Sequence, residues 1–194
     1  MSAVTLTNLK PAEGYCEKEV LRYAGCKEPT EEICELIKVC YEELEDRLTY
    51  RLCYRKLSLE ISDDHCDFGC FSVRSRDLAK NLKGCKSVIV FAATVGVATD
   101  RIIARYNRVS PARALIMQAL GAERVEALCD EFCKTLAAEY NTRPRFSPGY
   151  GDLPLAVQKE LFAALECYRH IGISLNESLL MAPSKSVTAF VGIY

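Results

Sequence analysis

Apolar residues recur along this chain at two spacings, and the switches between them mark its elements. Ile33, Leu36, Ile37, Cys40, Tyr41, Leu44 and Leu48 follow the helical period, so residues 31–48 are predicted to form an amphipathic helix. Thr30 is placed as its N-cap, with Glu31 and Glu32 in the first turn. A shorter helix from Cys16 to Ala24 is stopped by Gly25. Residues 49–61 alternate and carry aromatics, which predicts one long strand, and residues 62–70 read as a polar loop. Ser75 caps a helix ending at Gly84. Ser87 to Thr94 is a nearly unbroken apolar run, predicted as a central strand buried on both faces. The Val95–Gly96 turn leads to a helix over 99–106. Ser110-Pro111 then opens a helix running to about Tyr140, with a bend expected near Gly121. Leu155, Leu161, Phe162, Leu165 and Tyr168 share one side of a further helix over 155–170. Residues 178–181 and 186–194 read as two strands joined by Pro183. This irregular alternation implies an α/β or α+β domain with a mostly antiparallel or mixed sheet.

Composition narrows the class. At 194 residues, a single domain spanning 1–194 is expected, large enough to bury a full core. The net charge of −1 gives no basic excess for nucleic acid or anionic lipid. No apolar run approaches the roughly 20 residues that span a bilayer. The N-terminus lacks a basic region followed by an apolar core, so a cytoplasmic protein is expected by elimination. The 11 cysteines are odd in number and scattered, which argues against a disulfide framework. Several sit at helix-periodic apolar positions, where a thiol acts as a small hydrophobe.

The richest local chemistry is the octapeptide Arg145-Phe-Ser-Pro-Gly-Tyr-Gly-Asp152. Arg145 is a permanent cation whose planar fork fits a carboxylate or phosphate. Pro148 stiffens the backbone, while Gly149 and Gly151 let it turn tightly. Tyr150 offers a flat face and a hydroxyl, and Asp152 an acceptor for hydroxyls or amines. Two readings stand: an anchor for a small anionic molecule on a loop between rigid elements, or a Pro/Gly turn with incidental charges. Glu126 and Glu139 lie on the preceding helix, 13 residues apart, and face different directions unless that helix breaks or bends. His65, Cys66 and Cys70 could begin a metal site but lack a second Cys-x-x-Cys pair. Asp63-x-His65-x-x-x-Gly69 is one residue too long for the Asp-x-His-x-x-Gly motif of cobalamin carriers. Cys129 and Cys133 are four apart on a helix, the mark of a buried stripe, and His170 is placed at a helix C-terminus. Neither a P-loop nor a Gly-x-Gly-x-x-Gly turn is present, and no cysteine–histidine pair is favoured by spacing.

Three collinear segments carry a family resemblance. Arg145-Phe-Ser-Pro-Gly-Tyr150 resembles the Arg-x-x-x-Gly-Tyr segment of the S-adenosylmethionine-binding activation domain of cobalamin-dependent methionine synthase, and Glu139 precedes the arginine as an acidic residue does there. The run from His170-Ile-Gly through Asn-Glu-Ser and Met181-Ala-Pro to Ser186-Val resembles a second family stretch. Asp77 to Cys85 and Phe91 to Gly96 are similar to stand-alone members. The match is good over 75–194 and weaker over 1–74. It implies a C-shaped domain with a twisted, mainly antiparallel sheet flanked by helices and a groove for S-adenosylmethionine. It also implies a role in reductive methylation of cobalamin held by a partner, either a methionine synthase core or another corrinoid protein, with a flavodoxin-like electron donor. Under the resemblance Arg145 would pair with the methionyl carboxylate. Ser147, Pro148, Gly149 and Tyr150 would line the ligand. Glu139 and Glu126 would balance its amino group or sulfonium, or accept ribose hydroxyls. No acid, base or nucleophile is required, because methyl transfer from a sulfonium depends mainly on positioning. The homocysteine, folate and cobalamin modules of the full enzyme have no counterpart here, so action in trans is expected. The rival readings are an assembly module that binds no ligand, and a thiol or metal protein using Cys66 and Cys70.

Overall fold

The computed structural model describes residues 3–194. Its centre is a four-stranded antiparallel sheet in the order β1-β2-β6-β9, formed by β1 (Thr5–Thr7), β2 (Arg51–Ser58), β6 (Ser87–Thr94) and β9 (Ser186–Ile193). Between β2 and β6, three short strands make a second small sheet: β3 (Glu60–Ser62), β4 (His65–Asp67) and β5 (Ser72–Arg74). The long strand expected over 49–61 is therefore two strands, and the polar loop expected over 62–70 holds a hairpin. A two-residue ladder pairs β7 (Ser174–Leu175) with β8 (Met181–Ala182).

The central run of β6 is buried on both faces, as its unbroken apolar sequence requires. One face is covered by the C-terminal half of α5 (Pro111–Glu139): Leu128, Cys129, Phe132 and Leu136 meet Leu52, Ile89, Phe91 and Val191. The other face packs against α3 (Arg76–Asn81), α6 (Gln158–Leu165), α7 (Cys167–Ile171) and the small sheet, with Phe68, Leu78, Leu161, Leu165 and Phe190 fully buried. The N-terminal half of α5 leaves the sheet and packs into a helical cluster. There Met117 and Leu120 meet Val20 of α1 (Glu17–Ala24), Ile37 and Leu44 of α2 (Glu31–Glu45), and Ile102 and Ile103 of α4 (Ala98–Val109).

The caps follow local chemistry. Thr30 Oγ1 accepts from the Ile33 N–H and Ser75 Oγ from the Leu78 N–H. Ser110 makes no side-chain cap, and α5 starts on Pro111 instead. The helix runs unbroken through Gly121. A Cβ there would stand 2.6 Å from Thr99 Cγ2 and 3.0 Å from Lys185 Cγ, so this glycine serves close packing against α4 and the start of β9. The helix expected over 155–170 is interrupted at Glu166, whose φ of 47° splits it into α6 and α7 after one 3-10 turn, Leu155–Val157. No helix among the described residues is long and apolar enough to cross a membrane.

Candidate functional site

The chain leaves α5 and runs back along the free edge of β9. The Arg143 N–H donates to Gly192 O (2.9 Å). Phe146 and Phe190 exchange both backbone bonds, at 2.9 and 2.8 Å. This pairing fixes which way each side chain turns. Phe146 packs into the core cluster below the sheet, while Arg145 points to the α5 side. Beyond Phe146 the chain turns away from the sheet, and a cavity of about 390 Å³ opens. It is lined by Glu126 of α5, Arg145 to Pro148, Tyr150, Gln158 of α6, Met181, and Ser186 to Thr188 of β9. Strand period turns the Thr188 backbone groups to the same side as those of Phe190, one step past the last paired position.

Arg145 is held at the mouth. Its Nη2 donates to Glu126 Oε2 at 2.5 Å and its Nη1 to Asp130 Oδ1 at 2.7 Å. Asp130 is 62% exposed, so that pair is worth little; the half-buried Glu126 is the stronger partner. Beneath the guanidinium lie Cys129 and Cys133. Burial pushes both thiols up against the opposing pull of Arg145, so they remain neutral. Two residues that line the cavity carry a buried side-chain oxygen without a partner: Gln158 Oε1 and Thr188 Oγ1. An orphaned buried polar group costs about 1–3 kcal/mol, and a bound molecule with a complementary edge would remove that cost.

The sequence candidates separate clearly. Glu126, Arg145, Ser147, Pro148 and Tyr150 come together around one cavity. Gly149 is exposed in the adjoining turn, where its N–H donates to Leu153 O. Glu139 does not join them. It is exposed on the last residue of the unbroken α5, and 13 residues of helix set it about 20 Å along the axis from Glu126. Asp152 is engaged within the protein. Its oxygens accept from Ser75 Oγ and from the N–H groups of Arg76 (2.9 Å) and Asp77 (3.2 Å), which pins the loop to the start of α3. These bonds, the Ser75 hydroxyl first, hold its carboxyl below the usual range. Gly151 is required there: its φ is +53°, and a Cβ would collide with Asp77 Oδ2.

Sequence reading missed Gln158 and Thr188, which look like ordinary amphipathic positions; only their orphaned atoms mark them. It also missed a second cavity of about 430 Å³ on the far side of Glu126, where residues 11–16 cross α5. Arg124 holds this crossing, donating to Ala12 O (2.8 Å), Gly14 O and Tyr50 Oη (3.0 Å). Among the described residues, no group of three histidine, cysteine or acidic side chains is close enough to hold a metal ion, which leaves the Cys66–Cys70 reading without a ligand set.

Comparison with known proteins places this geometry. Residues 76–193 match the family described as "Vitamin B12 dependent methionine synthase, activation domain". Among solved structures, the chain is similar to the MetH reactivation domain crystallised with AdoHcy, with a TM-score of 0.69 and 15% identity over 98% of this chain and 78% of that one. No curated protein matches.

Proposed function

The chain belongs to the family of vitamin B12 dependent methionine synthase activation domains, and from that premise we propose that residues 1–194 form one domain that holds S-adenosylmethionine in the Arg145 cavity. It would act in trans on a corrinoid protein that lacks such a domain. The observation that carries the reading is a cavity at the Arg145-Phe-Ser-Pro-Gly-Tyr150 loop, lined by a charged anchor and by two residues whose buried side-chain oxygens have no partner. The similar MetH reactivation domain is bound to AdoHcy, which shares its nucleoside and amino-acid ends with S-adenosylmethionine.

When bound, S-adenosylmethionine supplies an electrophilic methyl group, with reduced cobalamin of the partner as acceptor and a flavodoxin-like protein as electron source. The residues of this chain bind and orient. Arg145 exchanges its internal partners for the ligand carboxylate, and Glu126, released, accepts from the ligand ammonium. The amino-acid end thus replaces an ion pair already in place, while the exposed Asp130 is left to solvent. Gln158 Oε1 and Thr188 Oγ1, with the free backbone edge of Thr188, take the hydrogen-bonding edges of the nucleoside. Tyr150 is 69% exposed at the mouth and faces whatever docks there. The 11 cysteines, all free in the structure, fit a reducing, cytoplasmic setting.

Isothermal titration with S-adenosylmethionine tests this. One site is expected, with Arg145→Ala weakening it by about 1.5–3 kcal/mol, or tenfold and more in Kd. Gln158→Leu should weaken it by a smaller factor while raising the stability of the free protein, because the orphaned oxygen is gone. No heat with a folded wild-type protein would refute ligand binding and favour the assembly reading. Transfer of methyl label to a corrinoid protein only when this chain is added would establish action in trans.

A further inference from the structure

The largest charge anomaly lies outside that site. A third cavity, of about 470 Å³, is bounded by the entry to β2, the turn after β6, the first turn of α4 and the C-terminus of α7. Arg47, Arg51 and Arg101 line it, and every other lining residue is uncharged. Among the described residues, none of these three arginines forms an ion pair with a carboxylate, and they share one cavity. No carboxylate lines the cavity, although Arg47 also helps, against burial, to hold the Glu43 carboxyl on α2 low; like charges gathered on one uncharged wall are unfavourable, and an anion between them relieves that cost. The local backbone adds to the field: no side chain caps the N-terminus of α4, which opens on the same cavity. The nearest acidic residue on that turn, Asp100, is already engaged, accepting from the Ser184 N–H and hydroxyl. Val97, Ile102 and Ile171 give the remaining wall an apolar surface.

We propose that this cavity is an anion site for a phosphorylated small molecule, its phosphates held by Arg47, Arg51 and Arg101 and its organic body laid on the apolar wall. Arginine forks suit phosphate because two parallel N–H groups meet two oxygens. A cavity of 470 Å³ has room for more than a bare phosphate. The site is separate from the S-adenosylmethionine cavity but close to it. Pro183 lines one and Met181 the other, and Ser186 Oγ, at the first cavity, donates to Thr94 Oγ1, at the third, at 2.9 Å.

Titration of the full chain with sodium pyrophosphate and, separately, with ADP tests the proposal, with the Arg51→Gln/Arg101→Gln double variant as control and circular dichroism as the check on folding. Saturable binding that weakens at least tenfold in the variant, and weakens again as salt rises, is the expected result. ADP binding several-fold tighter than pyrophosphate assigns the apolar wall to an organic body; equal affinities assign the site to free inorganic phosphates. No binding of either probe, or binding unchanged in the folded variant, overturns the proposal. The variant should titrate with S-adenosylmethionine as the wild type does, so failure here is separable from failure of the functional reading above.

Discussion

Asp152 illustrates how a residue can be chemically legible while its partner in the fold is not. Its carboxylate was visible as an acceptor, and Ser75 was visible as a helix cap. What could not be read was that the two meet, because 77 residues separate them. The pairing has a pH signature. The Ser75 hydroxyl and the Arg76 and Asp77 N–H groups favour the charged form, so the folded pKa lies below the unfolded one. The stabilisation is therefore present above the ordinary aspartate range and is lost as pH falls through the lowered value. Urea unfolding midpoints of wild type and Asp152→Asn should differ by a constant amount above about pH 5 and draw together as pH falls through the lowered value. A gap that persists unchanged into acid would mean that the carboxylate charge is not what ties the loop to α3. The orphaned atoms of Gln158 and Thr188 were beyond sequence reading for a related reason: a missing partner has no sequence pattern.

At the scale of elements, Gly121 separates propensity from packing. Alanine in the middle of α5 should gain about 1 kcal/mol on helix propensity alone. The added Cβ would stand 2.6 Å from Cγ2 of Thr99, which is fully buried. Overpacking of that kind costs about 1–3 kcal/mol, so the net effect of Gly121→Ala should be a loss, read as a lower thermal midpoint with helix content unchanged. A rise in midpoint would show that α4 and α5 can part without cost. Elements with long, consistent patterns were readable: β6 from its apolar run, and α2 and α5 from their periodicity and flanking residues. Those that were missed are short. The strands of the small sheet have three residues each, too few for alternation to register. β1 is equally brief and is placed only by its pairing with β2. The break at Glu166 is a non-glycine residue with φ of 47°, held by α6 and α7 packing on the sheet and carrying no local breaker signal.

For the whole molecule, what the family profile leaves out matters most. It begins at residue 76, while the structural likeness, at a TM-score of 0.69, covers 98% of the chain. One arginine ties the N-terminal part to the rest. Arg124, buried beside Glu123 at 3.8 Å, holds residues 12 and 14 across α5, and the Cys16 N–H donates to Glu123 at 3.3 Å. Burial raises the Glu123 carboxyl, and the neighbouring Arg124 opposes that rise. Arg124→Ala should then do two things. Removing one partner of a buried pair should cost about 3–5 kcal/mol near neutral pH, since the glutamate is left charged and uncompensated. It should also raise the Glu123 pKa further. A carboxyl whose folded pKa is raised favours the fold fully only below the unfolded pKa, and that advantage is lost as pH rises through the folded value. The deficit of the variant should therefore shrink as pH falls through the raised Glu123 value, whereas the Asp152 gap closes only in acid below the ordinary aspartate range. Arg124→Ala/Glu123→Gln, which removes the stranded charge, should recover much of the loss and flatten the slope. If the single variant is as stable as wild type at every pH, residues 11–16 are not clasped by this pair. The second cavity beside Glu126 would then owe its shape to other contacts.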